Sequence, residues 1–277
     1  MSGQHDKQPA YAELHCLSNF SFLRGASHPH ELVEQAAALG YQALAITDEC
    51  SLAGIVRAHI AAEQCGIKLI TGAEFQLEEG LHIVLLAPDK RAYSDLSALI
   101  SRVRLNSVKG NYRLSLKELS RSSGHCFAIW LLPFQAAAFE HAAHYGETLK
   151  ELFGPRLWLG FQRLHRQGEQ IFYERCLALA EQITVPMVAC GGVLMHERQR
   201  KPLQDTLTAI RLNQSIQSLG TQLQANSEYY LRDRATLARL YPQDLLKETL
   251  RIAEQCHFSL RELRYQYPDE VVPKGQT

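Results

Sequence analysis

The chain has 277 residues, 46% of them hydrophobic and 21% charged, with 29 basic side chains against 29 acidic ones. That balance excludes a disordered, collagenous or coiled-coil chain and allows one large α/β domain or two small ones around a substantial core. Zero net charge also excludes coating of nucleic acid by bulk charge, while leaving room for local basic patches.

Residues 1–10 are polar and lack the apolar core of an export signal, so they read as a disordered tail. Short apolar runs suited to strands then cover 11–17, 41–47, 67–76, 81–87, 126–132, 156–163 and 186–194. Amphipathic helical patterns lie between them at 30–39, 52–65, 92–105, 136–153, 170–183 and 201–212. Gly40, Gly66 and Gly154 follow helical runs as C-terminal caps, and Pro186 opens a strand. Glu78, Glu79 and Gly80 near the junction of the third and fourth runs make that pair a hairpin or a tight neighbouring pair. Seven strands mostly alternating with helices predict a largely parallel sheet, open or closed into a barrel. Residues 235–256 predict one or two further helices, and Pro268, Pro273 and Gly275 mark 265–277 as a linker. No stretch approaches the ~18 to 20 apolar residues of a membrane span. Seven cysteines, an odd number without a Cys-x-x-Cys pair, read as buried or free thiols of a reducing cytoplasm.

In a β/α architecture the loops after the strands gather on one rim, where chemistry is done. The polar residues expected there are His15 to Ser21, Thr47 to Glu49, Glu74, His82 and the stretch from Cys190 to His196. His15, Glu74 and His82 offer nitrogen and oxygen donors suited to zinc or manganese. Each has a plainer reading: a histidine beside an apolar run serves as a hydrogen-bonded core residue, and Asp48 caps the next helix. Cys16 inside an apolar strand reads as inert packing, and His196 as a helix-start cap or a surface residue. No phosphate-binding lysine loop, dinucleotide fingerprint or serine-hydrolase elbow occurs. From the chemistry alone, a metal-dependent phosphoesterase is the first expectation.

The runs AELHCLSNFSFLRGA (12–26) and ALAITDECSLAG (43–54) resemble the opening motifs of PHP domains, named for polymerase and histidinol phosphatase. More narrowly, residues 47–54 and MHERQRKPLQDTLTAIR (195–211) resemble the N-terminal PHP domain of the error-prone C-family DNA polymerases (ImuC). YPDEVVP (267–273) resembles the lead into their polymerase body. The resemblance covers nearly the whole chain after residue 10. It implies a (β/α)7 distorted TIM-like barrel with extra C-terminal helices over 11–264, and a linker at 265–277 toward an absent polymerase palm and thumb.

Metal-binding members ring several ions with histidines and carboxylates, and against that pattern this site is degenerate. The second histidine of the opening motif is Leu17, and the acidic residue before the Gly-Ala turn is Arg24. Glu49 replaces a histidine, while Glu74 and His82 survive with His15. Residues 131–133 supply no donor, and the late Asp-x-His becomes Gly192 and Leu194 around Val193. His15, Leu17, Arg24, Glu49, Glu74, His82, Gly192 and Leu194 are therefore read as vestigial metal-site positions, with no catalytic residue and no cofactor for this domain. Arg24 is expected to replace the metal by pairing with Glu74 or Glu49. A single weak ion on His15, Glu74 and His82 is the alternative.

Arg102, Arg104, Lys109, Arg113, Lys117 and Arg121 form a basic stretch opposed only by Glu118, read as a solvated face or as DNA or partner contacts. Arg198, Arg200, Lys201 and Arg211 form a second group, and Tyr112 is placed to stack on a base. The resemblance implies translesion DNA synthesis by the whole polymerase, with magnesium at the palm. It implies the sliding clamp and the ImuA and ImuB accessory proteins as partners in damage-induced mutagenesis. For this segment it implies a structural and interaction role; an active metallo-phosphoesterase or 3′–5′ exonuclease is the alternative.

Overall fold

The computed structural model describes residues 9–122 and 124–263. The expected tail (apart from Pro9 and Ala10), the linker and the 267–273 signature lie outside the described residues.

Seven strands form one curled sheet in chain order: β1 (Ala12–Glu13), β2 (Ala43–Ile46), β3 (Lys68–Gln76), β4 (His82–Leu86), β5 (Phe127–Leu131), β6 (Leu157–Phe161) and β7 (Met187–Ala189). All neighbours run parallel except β4, which is antiparallel to both β3 and β5. The hairpin is therefore the correct choice for the third and fourth runs, and Gly80 turns it with a φ of +80°. The first and last strands are shorter than predicted. Beyond them the chain keeps only a bridge: Leu17 N–H donates to Val193 O at 2.8 Å, and Val193 N–H donates to His15 O at 3.0 Å. That bridge joins the two edges of the curl.

Ten helices connect and cover the strands among the described residues. α1 (Pro29–Ala38) and α2 (Ile55–Cys65) lie between the first three strands, and Gly66 ends α2 in the left-handed region at a φ of +68°. α3 (Lys90–Leu105) and the short α4 (Leu116–Ser120) separate β4 from β5. The predicted helix at 136–153 is a 3₁₀ turn followed by α5 (Ala142–Phe153), and α6 (Glu169–Ile183) precedes β7. α7 (Lys201–Leu212) and α8 (Ile216–Leu219) follow, and then α9 (Arg234–Leu240) and α10 (Gln243–Gln255), parted at Pro242.

Alternate residues of each strand feed two cores, as the period of a strand requires. Leu44, Ile46, Ile83, Leu85 and Trp130 face the helices, while Ala43, Ala45, Val84, Leu86 and Ile129 fill the inside of the curl. Ile252, Ala253 and Cys256 join that inner cluster, so α10 and its end plug the mouth opposite the rim. Thr249 on α10 accepts from Ala12 N–H at 3.2 Å, which fastens the plug to β1.

All seven cysteines are free, and only Cys65 is exposed. Burial pushes the Cys126 and Cys256 thiols up to about 12 and holds Cys16 far above its ordinary value, where a thiolate does not form. A thiol reagent is expected to titrate one group in the native protein and all seven after denaturation. Two or more fast native thiols would contradict this packing. Among the described residues no helix is long and apolar enough to cross a membrane.

Candidate functional site

Because β4 runs antiparallel, its first residue lands beside the end of β3: His82 pairs with Gln76, two residues past Glu74. This is how a strand-opening histidine reaches the rim that carries the exits of β1, β2 and β3. His15 follows β1, Glu49 follows β2 and bridges to Glu74, and Arg24 comes from the loop between β1 and α1.

Glu74 is the hub and is fully buried. Its Oε2 lies 2.7 Å from His15 Nε2 and 3.0 Å from His82 Nε2. Its Oε1 accepts from Arg24 NH1 at 2.5 Å, and the same NH1 donates to Glu49 Oε2 at 2.5 Å. One guanidinium nitrogen therefore pairs with both carboxylates. Glu49 Oε1 accepts from the Tyr112 hydroxyl at 3.1 Å, and Tyr112 Oη accepts from Gln76 N–H at 2.8 Å. Burial alone would raise the Glu74 carboxyl, but His82 and Arg24 hold it well below the usual carboxylate range. Burial lowers His15, which the Glu74 hydrogen bond only partly offsets. Gln162 Nε2 lies 3.2 Å from His15 Nδ1 and donates to it, which assigns the His15 proton to Nε2, facing Glu74.

The loop that carries Arg24 is held from below. Asp48 accepts from Ser18 N–H and Oγ at 2.8 and 2.7 Å and from Ser21 N–H and Oγ at 3.2 and 2.7 Å. Asp48 therefore fixes the β1–α1 loop; it does not cap α2, whose first turn has no side-chain cap. Gly25 sits so close to the start of the loop that a Cβ there would lie 2.0 Å from Ser18 O. Leu23 and Cys50 take left-handed φ values of 58° and 45° beside Arg24 and Glu49, strain that this bonding holds in place. Glu13 organises the other side, where Oε1 accepts from Leu14, His15 and Gly191 N–H groups at 2.9–3.0 Å. His196 is neither a cap nor a free surface group. Its N–H donates to Ser27 Oγ at 2.9 Å, and the hydroxyl bonds Nδ1 at 2.8 Å.

The other expected positions lie apart from this polar knot. Leu17 and Leu194 pack with Ala26, Leu164, Met195 and Tyr229 in an apolar cluster, and Leu131 belongs to the inner core. Gly192 has Gln162 where a side chain would go: a Cβ would lie 2.4 Å from Gln162 Nε2. In the basic stretch, Arg104 donates to the Glu49 and Cys50 carbonyls at 3.2 Å and stacks over Tyr112. Arg113 pairs with Glu78 at 2.6 Å, and Arg102 bonds Ser122. Lys109, Lys117 and Arg121 are exposed. Tyr112 is thus a support for Glu49 and not a free stacking platform. Gln162 and Glu13 are supports that sequence reading misses, because their partners are distant in the chain, and Arg104 and Tyr112, singled out there for other roles, brace Glu49.

A multi-ion cluster does not fit these residues. The three clustered donors lie within 4.8 Å of one another. However, His15 Nε2 and Glu74 Oε2 are 2.7 Å apart, shorter than the roughly 3.3 Å edge of a zinc tetrahedron with ~2.0 Å bonds. The other Glu74 oxygen is taken by a permanent cation. Leu17 and Leu194 supply apolar volume and no donor.

Residues 13–162 match the PHP domain family. The chain belongs to that family. This PHP domain is also 52% identical over 271 residues to the error-prone DNA polymerase of Methylococcus capsulatus, covering 98% of this chain and 25% of that protein. It is 49% identical over 270 residues to the error-prone DNA polymerase of Pseudomonas aeruginosa, covering 97% and 26%. The chain thus spans about a quarter of the length of the curated relatives it matches, which are the polymerases its motifs resemble. Among solved structures, an amidohydrolase from Chromobacterium violaceum superposes with a TM-score of 0.50 at 17% identity, over 67% of this chain and 88% of that one. That likeness concerns the fold alone.

Proposed function

We propose that this PHP domain is a metal-independent structural module of an error-prone translesion DNA polymerase, in which an internal cation replaces the ions of a hydrolytic site. Its role is to brace the polymerase body and to offer docking surface. The observation that carries the reading is the Arg24 guanidinium bound at 2.5 Å to both Glu49 and Glu74. In this reading His15, Leu17, Arg24, Glu49, Glu74, His82, Gly192 and Leu194 are vestigial ligand positions. The whole protein, by likeness to its relatives, carries out template-directed nucleotidyl transfer in the cytoplasm with magnesium at a palm. Its partners are DNA, the sliding clamp and the ImuA and ImuB proteins.

The clustered His15, Glu74 and His82 favour one competing reading, a metal-dependent phosphoesterase or 3′–5′ exonuclease. Incubation with a labelled single-stranded oligonucleotide and with a chromogenic phosphodiester, in manganese or zinc, separates the two. No turnover above a His15→Ala control is expected. Metal-dependent hydrolysis abolished by His15→Ala would establish the enzyme instead.

A further inference from the structure

A cleft opens directly over the Arg24–Glu49 pair. Two adjoining recesses of about 660 and 310 Å³ share Arg24, Glu49, Gln76 and Arg211. Three guanidiniums line it. Arg24 uses only NH1 on its carboxylates, and its other nitrogens make no hydrogen bond among the described residues. Arg104 bonds backbone carbonyls and no carboxylate. Arg211, in the last turn of α7, has no hydrogen bond or ion pair among the described residues. Partial burial lowers its pKa, and so does the charge of Arg24. Like charges gathered in a recess repel unless an anion joins them. Among the described residues only Glu49 and Glu74 oppose the three cations, so the site keeps an excess positive charge even with both ionised.

The remaining walls narrow the anion. Guanidinium forks match the oxygens of a phosphate. Phe22 is 81% exposed at the lip, an aromatic face held in solvent beside the cations. In the smaller recess Gln204 is buried. Its Nε2 donates to Thr208 Oγ1 at 3.1 Å, so it forms a fixed polar floor to that recess. A phosphate held by guanidiniums beside an exposed aromatic platform describes a nucleotide within a strand.

We infer that this cleft binds the phosphodiester backbone of single-stranded DNA, with Arg211 and the free donors of Arg24 on one phosphate and Phe22 beneath a neighbouring base. No bond is made or broken. The inference rests on the metal-independent reading above, since a hydrolytic site would cut the strand it holds.

The test is fluorescence anisotropy with a labelled oligothymidylate of about 12 nucleotides, titrated at several salt concentrations. Arg211→Ala is expected to weaken binding roughly tenfold and to flatten the salt dependence by about one phosphate contact. Phe22→Ala is expected to weaken it about fivefold or more. Arg91→Ala removes the same charge from the opposite end of α3, some 13 residues or about 20 Å from Arg104, and is expected to change nothing. Absence of binding, or equal losses in the Arg211 and Arg91 variants, would overturn the proposal. So would thymidine monophosphate that competes as tightly as the strand, which would make this a mononucleotide site. A denaturing gel after each titration keeps the two readings apart. Weak binding with an intact strand refutes only the cleft, whereas a cleaved strand refutes the metal-independent module.

Discussion

Arg24→Ala is expected to lower the melting temperature by about 6–12 °C. Removing one member of a buried ion pair leaves the other charge without compensation, at a cost of about 3–5 kcal/mol. The Arg24 side chain is 24% exposed, so the low end, about 3 kcal/mol, applies, and each kcal/mol moves a domain of this size by about 2–4 °C. Adding Glu74→Gln in the alanine background should recover part of the loss, because the orphaned carboxylate is then gone. The sign of the pH dependence follows from the lowered Glu74 carboxyl. A carboxylate held below its unfolded value of about 4.3 contributes in full above that value, and the contribution is lost as pH falls through the folded one. The gap between wild type and Arg24→Ala is therefore widest near neutrality and narrows on acidification. An unchanged melt, or a gap that ignores pH, would mean that the guanidinium compensates nothing.

Gly25→Ala should be as damaging for a different reason. The added Cβ would meet the oxygen and carbon of the Ser18 peptide at 2.0 and 2.3 Å, atoms of the backbone that no rotamer change can move away. The loop must then shift, and Ser18 is tied to Asp48 while Gly25 follows Arg24 directly. A loss of about 3 kcal/mol or more is expected from this overpacking. Because the shifted loop also misplaces the guanidinium, Arg24→Ala should cost far less in the Gly25→Ala background than in wild type. Additive losses would show that the turn and the ion pair are independent.

These two residues also show what the sequence makes legible. A cation three positions after Ser21 in a recognisable motif points to acidic partners before any coordinates are known. Seven apolar runs with glycine punctuation likewise give the strand count, since strands buried on both faces have little room for polar residues. Strand lengths are less legible. Apolar residues run on past β1 and β7, but only a bridge pairs Cys16 with Val193, so the regular ladder stops early. The direction of β4 hinges on a tight turn at Gly80, which sequence leaves as one of two choices. α4 has a local signal of its own, the capping box that Ser115 and Glu118 form at its start. Gln162 and Glu13 left no local signal. Gln162 meets His15 across 147 residues, and Glu13 meets Gly191 across 178, so only the closed curl brings them together. Asp48 reads in the sequence as a cap of the next helix, whereas its partners are serines of the preceding loop, 27 and 30 residues upstream.

The central claim is that a guanidinium occupies the role of an ion. Its most direct test is metal content by plasma mass spectrometry, on protein purified without an affinity metal and dialysed against zinc and manganese. Less than about one tenth of an equivalent per chain is expected, because Arg24 holds the second oxygen of Glu74 and sets a permanent positive charge beside the three donors. Two or more tightly held ions per chain would contradict the account and make the rim a working metal centre.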